Sequence, residues 1–136
     1  MKTTLTAGIS VRREFGIDRE RTIDFMGDKA RVYATPMLVR DIEMTCRELL
    51  LAHLDPGEDS VGTRVEVDHL APTLLGMTVT VEAKVTEVKG RLVTFDVSVH
   101  DGIDQVGRGR HLRYVLEVKT QEQRLMAKAE KAGLRR

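Results

Sequence analysis

The stretch that decides the fold is residues 35–69, which read TPMLVRDIEMTCRELLLAHLDPGEDSVGTRVEVDH. Its first half predicts a helix over 37–54. Thr35 before Pro36 is typical of a helix N-cap followed by proline at the first helical position, and Pro56-Gly57 is a stop signal. At 100° per residue, one face of this helix carries mostly apolar side chains: Leu38, Ile42, Thr45, Cys46, Leu49 and Ala52.

The opposite side of this helix is mixed. Charged side chains form a polar face there: Arg40, Asp41, Arg47 and Glu48. Apolar side chains interrupt that face: Met37, Met44 and Leu51. A helix that is apolar on more than one side is expected to be buried on more than one side.

From Ser60 the pattern repeats at every second residue, which predicts a strand that ends at His69. One face of this strand is formed by Val61, Thr63, Val65, Val67 and His69. Turn signals at Lys89-Gly90 and Asp101-Gly102 separate the strands that follow. The further predicted strands are 77–88, 91–99 and 106–118, with a shorter one over 9–15 before the helix.

One buried helix followed by an antiparallel meander is an α+β layout in which the helix packs on the sheet. The order of elements resembles the hotdog fold, in which an antiparallel sheet wraps around one long central helix. Two chains of that fold usually join their sheets edge to edge. We interpret residues 1–136 as a single domain with a charged, helical C-terminal tail over 119–136.

The composition is that of an ordinary globular protein, with 136 residues, 41% hydrophobic and 32% charged, and a net charge of +1. The balanced charge and few aromatic residues argue against a nucleic-acid-binding protein. The single cysteine, Cys46, cannot form an internal disulfide, and no apolar run has the length of a signal peptide or membrane span. We therefore expect a cytoplasmic protein without a membrane partner, and the lack of metal-ligand spacings predicts no metal site.

Thr35, Glu43 and His69 are the candidate catalytic residues. A hydroxyl, a carboxylate and an imidazole are the groups needed to move a proton and attack an acyl carbon. Thr35 would lie at the positive end of the helix dipole, which stabilises a developing oxyanion. His69 can exchange a proton near neutral pH, and Glu43 lies two turns along the helix, where it can support Thr35 or a water molecule.

Each of these residues also has a structural interpretation. Thr35 alone is explained as a helix cap. Glu43 has Arg40 and Arg47 at neighbouring helical positions, which is typical of a solvated salt-bridge network. His69 alone is explained as a hydrogen-bonded histidine of the core.

Several segments together resemble the fluoroacetyl-CoA thioesterase-like family of hotdog proteins over residues 32–118. They are Val32-Tyr33-Ala34-Thr35, Glu43, Leu54-Asp55-Pro56-Gly57-Glu58, Val61-Gly62-Thr63, His69, Gly76 to Val81, His100-Asp101-Gly102 and Gly107-Arg108-Gly109. The resemblance implies that Thr35, Glu43 and His69 form the catalytic site. It implies that Gly62 lines the acyl pocket, and we assign Tyr33 to substrate binding with it.

The family resemblance implies an acyl-CoA thioesterase that acts on a small or medium acyl group. Coenzyme A would be part of the substrate, no separate cofactor would be needed, and the chain would form a homodimer or a larger assembly. Thr35 would either attack the thioester itself or activate water. The alternatives are a non-catalytic acyl-CoA binding module and a hotdog 3-hydroxyacyl thioester dehydratase that uses His69 and Glu43 as its acid–base pair.

The segment before Thr35 departs from the family pattern. In the fluoroacetyl-CoA enzyme, phenylalanines there close a hydrophobic lid over a very small acyl group. The corresponding stretch here is 26–31, with Met26 and Lys29 at the aromatic positions. A lysine cannot form a dry lid, because burying an unpaired ammonium is costly. We therefore expect a different or broader acyl preference.

The basic residues of the last strand have two interpretations. Arg108, Arg110 and Arg113 can hold the phosphates of coenzyme A, or they form an ordinary exposed basic face. His111 lies between them and is expected to face solvent.

Overall fold

A computed structural model of the chain describes residues 1–134. Its elements are β1 (Ser10–Gly16), a 3-10 helix (Asp28–Ala30), α1 (Thr35–Leu51), β2 (Glu58–His69), β3 (Thr78–Lys89), β4 (Leu92–His100), β5 (Gln105–Glu117) and α2 (Val118–Lys131). The strands form one antiparallel five-stranded sheet in the order β1-β3-β4-β5-β2. The long helix α1 packs on this sheet, so the predicted α+β hotdog arrangement is confirmed.

The contact between α1 and the central strands forms the core. Leu38, Ile42 and Cys46 are fully buried on the helix side, as the helical pattern predicts. The alternating residues of β4 meet them from the sheet side, which follows from the period of two in that strand: Val93, Phe95, Val97 and Val99.

The start of α1 differs from the prediction. The N-cap is Ala34, whose extended backbone (φ −76°, ψ 137°) turns into the helix, so Thr35 and Pro36 occupy the first helical positions. No side chain caps the first turn, and the prediction of Thr35 as N-cap is wrong. The Thr35 hydroxyl is therefore available for another partner. The helix also ends at Leu51, before the predicted boundary.

Asp41 was expected on a polar face, and this expectation is also wrong, because the residue is only 1% exposed. Its carboxylate lies against the chain that leads into α1, where it pairs with Arg21. The helical pattern counts Asp41 as polar surface, but the segment before the helix folds back and covers it.

Strand β2 contains a β-bulge between Gly62 and Arg64. Side chains alternate strictly in a regular strand, so Gly62 and His69, at an odd spacing, would point to opposite faces. The extra residue at Thr63 shifts the alternation by one, and both Gly62 and His69 face α1. The predicted common face of Val61 and His69 is therefore wrong.

The C-terminal helix begins at Val118 directly after β5 and runs to Lys131. This agrees with the predicted helical tail, whose last residues, 135 and 136, lie outside the described residues. Among residues 1–134, no helix is long and apolar enough to cross a membrane.

Candidate active site

The side chains of Thr35 and His69 meet at the first turn of α1. Thr35 Oγ1 lies 2.8 Å from His69 Nδ1. Thr35 comes from the helix N-terminus and His69 from the end of β2, because the strand runs antiparallel to the helix and finishes beside its start. The hydroxyl thus lies at the positive end of the helix dipole and in contact with a base, which is the arrangement expected of an activated hydroxyl.

The surroundings of His69 favour a neutral imidazole. Burial lowers the pKa of this side chain below its ordinary value of 6.5, so the ring is neutral at pH 7. Its Nε2 atom is buried and has no hydrogen-bond partner within residues 1–134. A neutral ring that accepts the Thr35 proton at Nδ1 carries its own proton on Nε2.

Tyr33 lies directly behind His69. The two rings meet edge to face, with centroids 6.3 Å apart and an angle of 78° between the planes. Tyr33 is buried, and its hydroxyl donates to Asp41 Oδ2 at 2.5 Å. The residue therefore forms a wall for the imidazole.

Glu43 and Gly62 meet at a second place, further along α1. A Cβ atom on Gly62 would lie 2.9 Å from Glu43 Oε1 and 3.1 Å from His111 Cε1. Only a glycine leaves room for the carboxylate to approach the strand here. Glu43 forms no ion pair within residues 1–134, while Arg47 pairs with Asp59 at 2.7 Å. The salt-bridge interpretation of Glu43 is therefore wrong.

His111 and Arg113 complete this second cluster, and both lie elsewhere than their sequence pattern predicts. His111 is 0% and Arg113 4% exposed, so the predictions of a solvent-facing histidine and of an exposed basic face at this position are wrong. Arg113 donates to Ser60 Oγ and to the Ser60 carbonyl, both at 2.8 Å. Its third contact is His111 Nε2 at 3.1 Å.

These bonds fix the protonation of His111. Its Nε2 faces the guanidinium of Arg113 and accepts, so Nδ1 carries the proton and donates to the Arg64 carbonyl at 2.8 Å. Burial lowers the pKa of both His111 and Arg113. The sequence held one signal for this inward placement, because both share the alternation phase of Val115, which is buried.

Within one chain the two clusters are separate. Glu43 lies eight residues after Thr35 on α1, which is about 12 Å along the axis at the helical rise per residue. The structure therefore brings Thr35 close to His69 and Glu43 close to Gly62. The two pairs do not meet within one chain.

Known proteins share this sequence and this fold. The profile of the family described as fluoroacetyl-CoA-specific thioesterase matches residues 17–119. The fluoroacetyl-CoA thioesterase of Streptantibioticus cattleyicolor is 34% identical over 125 residues, which covers 87% of this chain and 90% of that protein.

Two solved structures show the same similarity. A phenylalanine-to-alanine mutant of the fluoroacetyl-CoA-specific thioesterase, in complex with fluoroacetate and CoA, superposes with a TM-score of 0.80 at 32% identity, covering 86% of this chain and 99% of that one. A thioesterase superfamily member from Thermus thermophilus superposes with a TM-score of 0.88 at 28% identity, covering 96% of this chain and 98% of that one.

The fold and these matches define a hotdog-fold thioester hydrolase. The chain belongs to the fluoroacetyl-CoA-specific thioesterase family. The family resemblance drawn from the sequence and the prediction of an acyl-CoA thioesterase are therefore confirmed, and hydrolysis is favoured over the binding-module and dehydratase alternatives.

Gly62→Ala tests whether the close approach of Glu43 matters. The added Cβ would overlap the Glu43 carboxylate, which is the flexible end of a side chain and can move away. It would also lie 3.1 Å from the buried His111 ring, which must shift slightly, so the melting temperature is measured together with the activity. Displacing a group in a site by about 1 Å can lower activity about 100-fold, and we expect kcat/KM for acyl-CoA to fall about tenfold or more.

The control for this variant is Gly16→Ala, where a Cβ would meet nothing within 4 Å. Its kcat/KM and melting temperature should match the wild type. A Gly62→Ala enzyme with wild-type kcat/KM would show that the carboxylate position is irrelevant to hydrolysis.

Proposed function

We propose that this enzyme hydrolyses small or medium acyl-CoA thioesters with Thr35, Glu43 and His69 as catalytic residues. The observation that carries the proposal is the 2.8 Å contact between the Thr35 hydroxyl and the half-buried His69 ring at the start of α1. A relative of this chain has been solved with fluoroacetate and CoA, which supports an acyl-CoA substrate. The chemistry needs no cofactor, because coenzyme A is part of the substrate.

The proposed reaction begins with proton transfer to His69 Nδ1. The proton comes from the Thr35 hydroxyl, or from a water molecule that the hydroxyl orients. The resulting oxygen nucleophile attacks the thioester carbonyl, the C–S bond breaks, and the coenzyme A sulfur takes the proton from the imidazolium. If Thr35 itself attacks, water then cleaves the acyl ester by the same proton route. Both routes use the same base, and the positive end of the α1 dipole stabilises the oxyanion.

The complete site is proposed to form between two copies of the chain. β2 is an edge strand of twelve residues, and its Val61 and Val65 are 41% and 36% exposed. A long edge with unpaired backbone groups is stabilised by pairing with a second copy. Antiparallel pairing about a two-fold axis at Glu66, with the bulged Thr63 skipped, would place Gly62 opposite His69 of the second copy.

This pairing would join the two clusters that lie apart in one chain. Glu43 approaches the strand at Gly62, so its carboxylate would come near His69 and Thr35 of the second copy. There it can balance the charge of the imidazolium or hold the attacking water. Each dimer would contain two equivalent sites.

We also propose a cytoplasmic location. Cys46 is the only cysteine of the chain and lies fully buried in the core, where burial raises the pKa of its thiol to about 12. A chain without an internal disulfide is suited to a reducing compartment.

His69→Ala should lower kcat/KM by roughly 100-fold or more, the usual scale for removing a general acid–base group. The measurement is thiol release from short, branched and aryl acyl-CoA thioesters. In the wild type, kcat/KM should fall on the acid side below pH 6.5, because the base must be neutral and burial lowers the pKa of His69. His100→Ala, on an exposed hairpin residue, is the control. Equal hydrolysis by His69→Ala and wild type would refute the assignment.

Light scattering should give twice the chain mass at micromolar concentration. Val65→Asp should convert the protein to a monomer and lower hydrolysis, because the proposed two-fold axis brings the added carboxylates together. Ser10→Asp adds the same charge at the opposite edge of the sheet and should leave the dimer intact. A wild-type monomer with full activity would exclude a site shared between copies.

The acyl preference should differ from that of a fluoroacetyl-specific enzyme. Lys29 is exposed on the 3-10 helix, next to Asp28, which pairs with Arg31 at 3.2 Å. Met26 is 58% exposed. Such a charged segment makes a poor dry lid, so kcat/KM should show no marked preference for fluoroacetyl-CoA over acetyl-CoA. A preference well beyond the difference in intrinsic reactivity of the two thioesters would contradict this.

A further inference from the structure

A buried polar network lies behind the Thr35–His69 pair. The Asp41 carboxylate accepts hydrogen bonds from Arg21 Nε at 3.0 Å, from Arg21 Nη2 at 3.2 Å, and from the Tyr33 hydroxyl at 2.5 Å. Both carboxylate oxygens are used, and the residue is nearly inaccessible to solvent. This network has no part in the proton route described above.

Stability is a weak explanation for the network. Asp41 is almost fully buried while the Arg21 side chain is 20% exposed. Taking the carboxylate out of water costs much of what the ion pair returns, so the pair is weak evidence for a role in stability alone. The network does connect the chain before α1 to the helix itself. Arg21 pairs with Asp41 through its side chain, and its carbonyl accepts from the N–H of Ala34 at 2.8 Å. Arg21 therefore holds the N-cap residue that precedes Thr35.

Tyr33 links this network to His69. Its hydroxyl is fixed by Asp41, and its ring lies edge to face with the imidazole at a centroid distance of 6.3 Å. The backbone N–H of Tyr33 donates to the Thr73 carbonyl at 2.8 Å, so the main chain is fixed as well. Within residues 1–134, His69 has no hydrogen-bond partner on Nε2. The ring plane is therefore set by Thr35 on one side and by the Tyr33 ring on another.

We propose that Asp41 is a positioning residue that acts through Tyr33. The carboxylate fixes the phenol, and the phenol ring fixes the plane of His69, so that Nδ1 points at the Thr35 hydroxyl. This inference rests on the proposed function, because it assigns His69 the role of proton acceptor.

Tyr33 also covers part of the half-buried imidazole. Burial is the only cause that lowers the pKa of His69, and no charged side chain within residues 1–134 contributes to the shift. Loosening the Tyr33 wall admits water, and the pKa of His69 then rises towards its ordinary value. A residue with only a structural role would change the folded fraction without moving this pKa.

The test compares Tyr33→Phe, Tyr33→Leu and Asp41→Asn. Tyr33→Phe keeps the ring but removes the tether to Asp41, while Tyr33→Leu removes the ring edge itself. The measurements are kcat, KM and the pH profile of kcat/KM for acetyl-CoA, together with the pKa of the His69 ring by NMR. Tyr114, on β5 and half-exposed, supplies the controls Tyr114→Phe and Tyr114→Leu.

We expect kcat to fall about fivefold in Tyr33→Phe and Asp41→Asn and about 30-fold in Tyr33→Leu, because small misplacements of a base cost up to about 100-fold. KM should stay within about twofold, since Tyr33 is only 2% exposed and Asp41 only 1%, which leaves little of either for direct contact with substrate. The pKa of His69 should rise in all three variants, most in Tyr33→Leu. The Tyr114 variants should leave kcat, KM and the pKa of His69 unchanged.

The proposal is overturned if kcat falls only in proportion to the folded fraction while the pKa of His69 stays at its wild-type value. If Tyr33→Leu does not fold, Tyr33→Phe and Asp41→Asn decide the outcome in the same way. If His69→Ala retains full activity, the proposed function fails. The NMR measurement still shows independently whether Tyr33 and Asp41 hold the ring.

Discussion

The candidate site depends on one irregularity, the β-bulge that separates Gly62 from Arg64 in β2. Without the extra residue, strict alternation would place Gly62 and His69 on opposite faces of the sheet. With it, both face α1, where Gly62 admits the Glu43 carboxylate and His69 meets the Thr35 hydroxyl. One inserted residue therefore makes a single strand complementary to two different turns of one helix.

The sheet face under α1 divides into an apolar part and a polar part. Strands β3 and β4 contribute apolar residues such as Val81 and Phe95, which bury the helix. Strands β5 and β2 contribute Arg113, His111 and Ser60, which are buried but hydrogen-bonded to one another. Buried polar groups are tolerated only when they are paired in this way. The apolar side chains and the hydrogen-bonded polar side chains thus occupy different parts of the same surface.

The sequence predicted the elements and their order well, because long segments such as α1 and β4 follow a single period. The sequence could not predict the bulge in β2. An extra residue leaves it ambiguous which side chains share a face, and only the hydrogen-bonded register with β5 shows where the bulge lies. The family resemblance named Thr35, Glu43 and His69 as one site. The contact between Thr35 and His69 could not be predicted from spacing, because it depends on where the start of α1 and the end of β2 lie in the fold. Asp41 and His111 were both predicted to be exposed and are both buried. The reason is the same, because the burial of a polar residue depends on partners that are distant in the chain.

Asp41 and Glu43 show how position on one helix gives two carboxylates different surroundings. They are two residues apart on α1, which turns their side chains to nearly opposite sides. Asp41 faces the chain before the helix and is saturated by the donors of Arg21 and Tyr33. Glu43 faces β2, and within residues 1–134 it has neither an ion pair nor a hydrogen bond. A saturated carboxylate holds its neighbours in place, whereas the Glu43 carboxylate, partly exposed beside Gly62, keeps its acceptor oxygens open, as the proposed role requires.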